Sequence, residues 1–371
     1  MPIDFARSET ATIGVEWELA LVERDGLGLS SRAPELVASL DPELRGSIRG
    51  EYLASMVELV TGVHDRVDDA VAELRSLLGR VLEAADRLEL EVLATGTHPF
   101  TRGEDVPVVE RAVYETVRER NAWWGRRMTI CGTHVHFGLA ERDAALPLVS
   151  GLADAAPLLI ALSASSAFYE GEDTGFVSQR TMLFQQLATN GLPPQLPDWP
   201  AFEARVAELA AAGIAATAHE IRWDVRPAPA FGTVETRVAD ASPTLAEVGC
   251  LVAWNACLAA ELIEALERGE RPRPLPRWAR SENKWRAARY GLEAELITAD
   301  GLAPLRDELE RGLDRLAPIA ERLGCEHELG FARTLLRTGT SADRQREVAS
   351  RAGGDLRAVV AHAAAETRAC S

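Results

Sequence analysis

Residues 12–23 read TIGVEWELALVE, in which Glu16 and Glu18 stand at alternate positions of an otherwise apolar run. Alternation of period two marks a strand, so the two carboxylates share one face while Val15, Trp17 and Leu19 share the other. Like charges side by side repel, and solvent or a bound cation must offset them. The run TICGTHVHFGL repeats the pattern, with His134 and His136 on one face and Val135 and Phe137 behind them, a second candidate ligand pair. RGEYLASMVELVTGV adds Glu51 and Glu58. Their odd separation puts them on opposite faces of a regular strand, so a turn or a bulge must intervene if both serve one site. In HEIRWDVRPAPAFGTVETRVADASP, Arg222, Asp224 and Arg226 alternate. Glu235 and Arg237 alternate beyond the short PAPAFG link, as in a loose hairpin.

Taken singly, each motif has a plain structural reading: solvated carboxylates, hydrogen-bonded histidines, cross-strand ion pairs of small energy. Taken together, strand-like segments carry Glu16, Glu18, Glu51, Glu58, His134, His136, Asp224 and Glu235, with Arg226 and Arg237 interleaved, all in apolar surroundings. A carboxylate-rich face holding hard divalent cations explains that composition better than a solvated sheet does. Magnesium takes oxygen ligands and shares its shell with substrate phosphates, and arginine grips phosphate or carboxylate in a bidentate fork. The chemistry indicated is phosphoryl transfer from a metal-bound nucleotide. No GxxxxGK[ST] or GxGxxG occurs, so a standard glycine loop does not hold the nucleotide. Two other classes compete. A zinc or iron hydrolase would use the HxH pair, but of the seven histidines, His64, His98, His219, His327 and His362 show no matching ligand spacing. A catalytically silent binding protein would show a degraded acid set, and this one is intact.

The elements that must position these residues follow from periodicity. Val71, Leu74, Leu77, Leu78, Val81, Leu82 and Leu88 recur at three- and four-residue steps, predicting an amphipathic helix over 65–89. Further helices are expected near 141–168, 200–212, 244–268, 303–323 and 341–367. Strands are expected near 11–23, 50–62, 90–96, 130–139, 219–226 and 232–239. Strands interspersed irregularly with helices indicate an α+β fold with a largely antiparallel sheet. NGLPPQLPDWP and RGERPRPLPRW read as long loops rather than linkers, since composition does not shift across them. Residues 1–371 are therefore expected to form one catalytic domain.

With 371 residues and 47% hydrophobic content the chain can bury a large core. A net charge of −17 argues against nonspecific binding to nucleic acid or to an anionic membrane. The N-terminus lacks a basic segment followed by an apolar core, and no apolar stretch reaches the roughly 18–20 residues of a membrane span, so a cytoplasmic location is expected. The five cysteines, Cys131, Cys250, Cys257, Cys325 and Cys370, are scattered without CxxC spacing and are expected to be reduced and dispensable for chemistry.

The blocks GVEWEL, SMVELVTG, CGTHVHFGL, SQRTMLFQQL, WDVRP…FGTVETRVAD, NKWRAARYGLEAEL and GTSADRQR, in this order across most of the chain, resemble the carboxylate–amine ligases of the second glutamate–cysteine ligase type, within the glutamine-synthetase-like superfamily. The resemblance implies a curved, mostly antiparallel sheet of about six strands, a funnel or half-barrel flanked by helices. ATP and magnesium, with manganese able to substitute, would sit on its inner face. It implies phosphoryl transfer from ATP to a carboxylate, classically the glutamate γ-carboxylate. An amine, classically that of cysteine, then attacks the acyl phosphate, and ADP and phosphate are released. By the same resemblance Glu16, Glu18, Glu51, Glu58 and Glu235 are expected to bind metal, and His134 to contact metal or phosphate, while the role of His136 stays open. Arg180 and Arg237 are expected to hold the transferred phosphoryl group or a substrate carboxylate. Arg226, Lys284, Arg286 and Arg289 are expected on the nucleotide. A homodimer acting on small amino-acid and amine substrates is implied as well. The family often has a third acid where this chain has Trp17, but that position faces away from Glu16 and Glu18.

Overall fold

Alternation in the sequence becomes a sheet whose two faces differ sharply. The computed structural model describes residues 2–110, 112–271 and 273–370. Its strands are β1 (Ile13–Glu23), β2 (Ile48–Gly50), β3 (Met56–Val60), β4 (Leu90–Leu93), β5 (Gly132–Gly138), β6 (Phe168–Tyr169), β7 (Glu172–Asp173), β8 (Val225–Ala228), β9 (Thr233–Asp240), β10 (Glu295–Thr298) and β11 (Gly301–Pro304). A 7-stranded sheet has the order β2-β3-β1-β5-β9-β8, with β4 paired to the distal end of β1, and its pairings are antiparallel. The α+β class read from the sequence is present, with one strand more than the six expected.

The apolar face of β1 is what makes its polar face tolerable. Val15, Trp17 and Leu19 are buried, and the helices Val67–Arg87, Ala145–Ser163 and Leu245–Glu267 pack against the sheet and one another to close one core over them. The stripe predicted for the first of these helices, Leu74, Leu77, Leu78, Val81 and Leu82, is buried as its spacing requires. Two helical stretches, Arg142–Ser163 and Leu245–Glu267, are long and apolar enough to cross a membrane by length and composition, contrary to the sequence expectation. Both are mostly buried as the central helices of this core.

Among the differences from the sequence reading, three have a local reason. The stretch expected as one strand over 50–62 is the β2–β3 hairpin, in which Arg49 pairs with Glu58 and the Glu51 N–H reaches the Met56 carbonyl. The turn resets the alternation, so Glu51 and Glu58 come to the same side. The strand expected over 219–226 is instead a 3-10 turn at Ala218–Glu220 followed by β8 from Val225. β8 lies at the sheet edge, where Pro227 forfeits no ladder bond. The helix expected over 341–367 is two, Ser341–Arg351 and Leu356–Arg368, separated where Gly353 and Gly354 adopt φ of 62° and 91°.

Because the back of β1 supplies the stability that its like-charged front does not, Leu19→Ala should lower the unfolding free energy by about 2–5 kcal/mol. Glu18→Gln, which relieves repulsion, should not lower it. Urea unfolding without divalent cations checks the contrast, and a Leu19→Ala protein as stable as wild type would refute it.

Candidate functional site

Strand register brings the polar residues into one row. On β1, Glu18 lies opposite Glu58 of β3, Glu16 opposite His134 of β5, and Gly14 opposite His136. On β9, Glu235 lies opposite both His136 of β5 and Arg226 of β8. Opposite residues in a ladder stand about 5 Å apart at Cβ, so a row spanning β3, β1, β5, β9 and β8 follows from pairing alone. Within it His134 Nδ1 is 2.9 Å from Glu16 Oε2 and His136 Nε2 is 3.4 Å from Glu16 Oε1. His136 Nδ1 lies 2.8 Å from the Thr233 hydroxyl. At the far end Arg226 Nε donates to Glu235 Oε2 at 2.6 Å, and Arg237 binds the other oxygen. The Gly132 N–H donates to Glu18 Oε2 at 2.5 Å.

Charge sorts these carboxyls into two kinds. Burial pushes Glu16 up, but hydrogen bonds from His134 and His136 outweigh it and hold the carboxyl well below its usual range. Burial likewise acts on Glu235 and is overcome by the guanidiniums of Arg237 and Arg226. Glu58 and Glu51 lack such partners: burial raises both, followed by repulsion from Glu16 at Glu58 and from Glu18 at Glu51. Burial, with the charge of Arg237 behind it, pushes His134 down, so the ring is neutral at pH 7. Its Nδ1–H then donates to Glu16, which leaves a lone pair on Nε2. That atom is buried without a hydrogen-bond partner and lies 3.9 Å from Glu18 Oε1. A lone pair facing a carboxylate oxygen at that distance suits a cation.

Among the described residues, two donor sets are close enough to share an ion each: Glu16, Glu58 and His134, and Glu16, His136 and Glu235, with ligand atoms within 4.8 Å of one another in each set. Glu16 belongs to both. Carboxylate oxygens with one imidazole nitrogen fit magnesium or manganese, so the fit to divalent cations is good. His136, whose role the sequence left open, enters the second set. Glu18 and Glu51 lie beside the first set, where Glu51 Oε2 accepts the Tyr52 N–H at 2.7 Å.

Cavities open on either side of the row. One is bounded by Glu16, His136, Gly14, Thr61, Gly62 and Phe231. The other is bounded by Glu18, Glu51, His134, Arg180, Arg222 and Arg237, with Met128, Ile130, Phe184 and Leu187 as an apolar wall. Arg180 is buried, and its Nη1 and Nη2 donate to the Arg237 carbonyl at 3.3 and 3.2 Å. It lies so close over β5 that a Cβ at Gly132 would fall 2.1 Å from Nη2, which is why glycine precedes the THVH run. Arg226 is tied to Glu235 and to the carbonyls of His219 and Ile221.

The remaining expected cations are engaged elsewhere. Lys284 Nζ is buried against Asp224 Oδ2 at 2.6 Å. Arg286 Nε binds Glu282 at 2.8 Å, and Arg289 binds the Gly175 carbonyl and lies over the rings of Phe176 and Tyr290. The contacts of these three give no support to their expected place on a nucleotide, because the helix Arg277–Tyr290 turns Lys284 into a buried ion pair. Cys131 is buried and its thiol is pushed up by that burial, so it is no nucleophile. Sequence reasoning missed Arg222, which it saw only as part of an alternation, and Asp240, whose context TRVADASP gave no sign of the serines it meets.

The family model described as glutamate–cysteine ligase family 2 matches residues 12–362. A protein of Arthrobacter sp. (strain FB24) provisionally named glutamate–cysteine ligase 2-1 is 46% identical over 370 residues, covering 97% of each chain. One of Leifsonia xyli provisionally named glutamate–cysteine ligase 2 is 44% identical over 371 residues, covering 99% of this chain and 98% of its own. Among solved structures, the glutamate–cysteine ligase of Francisella tularensis in complex with AMP superposes with a TM-score of 0.73 at 16% identity, covering 98% of this chain and 90% of that one. A bifunctional glutathione synthetase from Pasteurella multocida gives 0.68 at 16% identity, covering 96% of this chain and 52% of that one. At that identity the likeness is one of fold.

The raised carboxyls make the metal-free protein pH-sensitive in a defined direction. A carboxyl whose folded pKa lies above its unfolded value near 4.5 binds more protons when folded, so Glu58 and Glu51 weaken the fold as pH climbs from 4.5 through their raised values. Glu16 and Glu235, held low, contribute stability that is lost only as pH falls below that window. Metal-free Glu58→Gln should therefore escape part of the loss that wild type suffers as pH rises above about 4.5 and should melt higher than wild type near pH 7, while the buried, downward-shifted His134 and His98 act in the opposite sense on both proteins alike. A Glu58→Gln protein with the wild-type pH profile would contradict this account of the site.

Proposed function

The chain belongs to glutamate–cysteine ligase family 2, and we propose that it joins the γ-carboxylate of glutamate to the amine of cysteine or another amino acid. ATP drives the reaction through an acyl phosphate, with release of ADP and phosphate. The observation that carries this reading is Glu16, shared by two donor sets that lie between two cavities. Glu16 would thus serve cations beside the nucleotide in one cavity and beside the acid in the other.

Glu16, Glu58 and His134 would hold one divalent cation, and Glu16, His136 and Glu235 a second, with magnesium the expected ion. When bound, such cations supply charge neutralisation at the phosphoryl oxygens of the nucleotide. The protein's own groups do the rest. The cavity beside Gly14, Thr61 and Phe231 takes the nucleotide, and the one holding Arg180, Arg222 and Arg237 takes the acid and the amine. Arg237, kept firmly charged by Glu235, Glu16 and Glu18 against the pull of burial, faces the transferred phosphoryl group. Arg180 holds a substrate carboxylate with the donor left free at Nε. Glu18 and Glu51 form a face for positive charge, a cation or the acceptor ammonium. Met128, Ile130, Phe184 and Leu187 keep water from the activated acyl group, so that the amine rather than water takes it. Arg226 keeps Glu235 ionised rather than touching the nucleotide. Membership of this family sets the hydrolase alternative aside.

Given magnesium, ATP, glutamate and cysteine, the protein should release ADP, and oxygen-18 in the glutamate γ-carboxylate should appear in the released phosphate. AMP with pyrophosphate, or phosphate free of label, would sink the acyl-phosphate route. Arg237→Lys keeps the charge but loses the planar fork, and should cost roughly 10²-fold in turnover with an unchanged magnesium requirement. Turnover within a few-fold of wild type would remove Arg237 from the reaction.

A further inference from the structure

Arg180 poses a problem that the site alone does not solve. The residue is 2% exposed, and its guanidinium forms no ion pair among the described residues and leaves Nε without a hydrogen-bond partner. Burying a cation on so few bonds is costly, and the group will swing unless its backbone is fixed. The helix that carries it, Gln179–Phe184, has only 6 residues and cannot stand on its own propensity.

Two serine hydroxyls fix that helix. Ser166 Oγ accepts the Arg180 N–H at 3.1 Å, and Ser178 Oγ accepts the Thr181 N–H at 3.4 Å. A hydroxyl can turn its lone pairs to a backbone N–H dependably only if its own hydrogen is spoken for. Here both hydrogens go to one carboxylate: Ser166 Oγ donates to Asp240 Oδ2 at 2.6 Å and Ser178 Oγ to Asp240 Oδ1 at 2.8 Å. The Ser165 N–H adds a third bond to Oδ2 at 3.1 Å. The Asp240 carboxyl lies so close over the chain at Gly96 that a Cβ there would fall 2.6 Å from it, so only glycine fits at that position. The GTSADRQR block closes the arrangement from behind, where the Gln345 amide donates to the Ser165 carbonyl at 2.6 Å and accepts the Ala167 N–H at 3.3 Å.

We infer that Asp240 is a positioning residue for Arg180, acting through Ser166 and Ser178, and that Gln345 braces the serine segment from the far side. Asp240 ends the same strand, β9, that carries Glu235 and Arg237. One strand therefore sets the metal row, the phosphoryl-facing arginine and, through two hydroxyls, the carboxylate-holding arginine. The inference rests on the reading that Arg180 holds a substrate carboxylate.

Asp240→Asn preserves volume but presents an N–H₂ to one serine, which must turn its hydrogen away and give up its bond to the Arg180 helix. The measurement is ADP release with magnesium, ATP, glutamate and cysteine for wild type, Asp240→Asn, Arg180→Lys and the double variant. Asp240→Asn should raise KM for glutamate by about tenfold or more, as misplacement of a binding group does, and leave KM for ATP within twofold. In the Arg180→Lys background the same change should add little, because its target is gone. An effect that multiplies undiminished in the double variant, or one that raises both KM values together, overturns the positioning role while Arg180 keeps its own. No change in glutamate KM on Arg180→Lys would instead overturn the underlying reading of Arg180 and the inference with it. Should Asp240→Asn fail to fold, Ser178→Ala and Ser166→Ala each remove one relay, and each should show the same selective rise in glutamate KM. Wild-type values in both would refute the relay.

Discussion

Repulsion among carboxylates on one buried sheet face is the constraint on which the rest of the structure depends. Glu16, Glu18, Glu51 and Glu58 are held together by register and by a hairpin turn, not by mutual attraction. Stability must come from elsewhere, and the back of the same strand provides it: Trp17 and Leu19 are 0% exposed beneath the residues that repel. The strand thus separates two environments, with an apolar core on one side and a row of carboxyls and imidazoles on the other. Where the row reaches β9, the protein changes strategy and neutralises Glu235 with its own Arg226 and Arg237.

That division assigns different tasks to carboxyls of one chemical type. Glu235 is kept ionised by two guanidiniums and Glu16 by hydrogen bonds from imidazoles, so both stay charged at neutral pH. Glu58 and Glu51 are kept reluctant to ionise, and a cation that pays their desolvation would bind with proton release. The lone pair of His134 Nε2, facing Glu18, belongs to the same design: a buried acceptor without a donor is costly until something positive arrives.

Much of this was legible in the sequence, and the reasons are specific. Period-two alternation around Trp17 and around Val135 announced both central strands and the face of each polar residue, because burial on one side leaves few other registers. The polar row was legible as residue types, though not as a row, since cross-strand partners are set by pairing that a single sequence does not encode. Glu51 was recoverable only through the parity argument that demanded a turn. The short helix Gln179–Phe184 lacks a full amphipathic period, and the helix Arg277–Tyr290 buries Arg280, Asn283 and Lys284, polar residues that periodicity counts as solvent-facing. For that reason periodicity gave no sign that Lys284 is buried against Asp224. Asp240 was invisible because its serines come from distant parts of the chain.

The most direct test of the cation row uses the one residue that both donor sets share. Bound Mn²⁺ would be counted by electron paramagnetic resonance in the presence of a non-hydrolysable ATP analogue, for wild type and for Glu16→Gln. The account predicts at least two saturable ions per wild-type chain and a marked loss at both sites in the variant. Glu16→Gln that binds manganese with wild-type stoichiometry and affinity would contradict it.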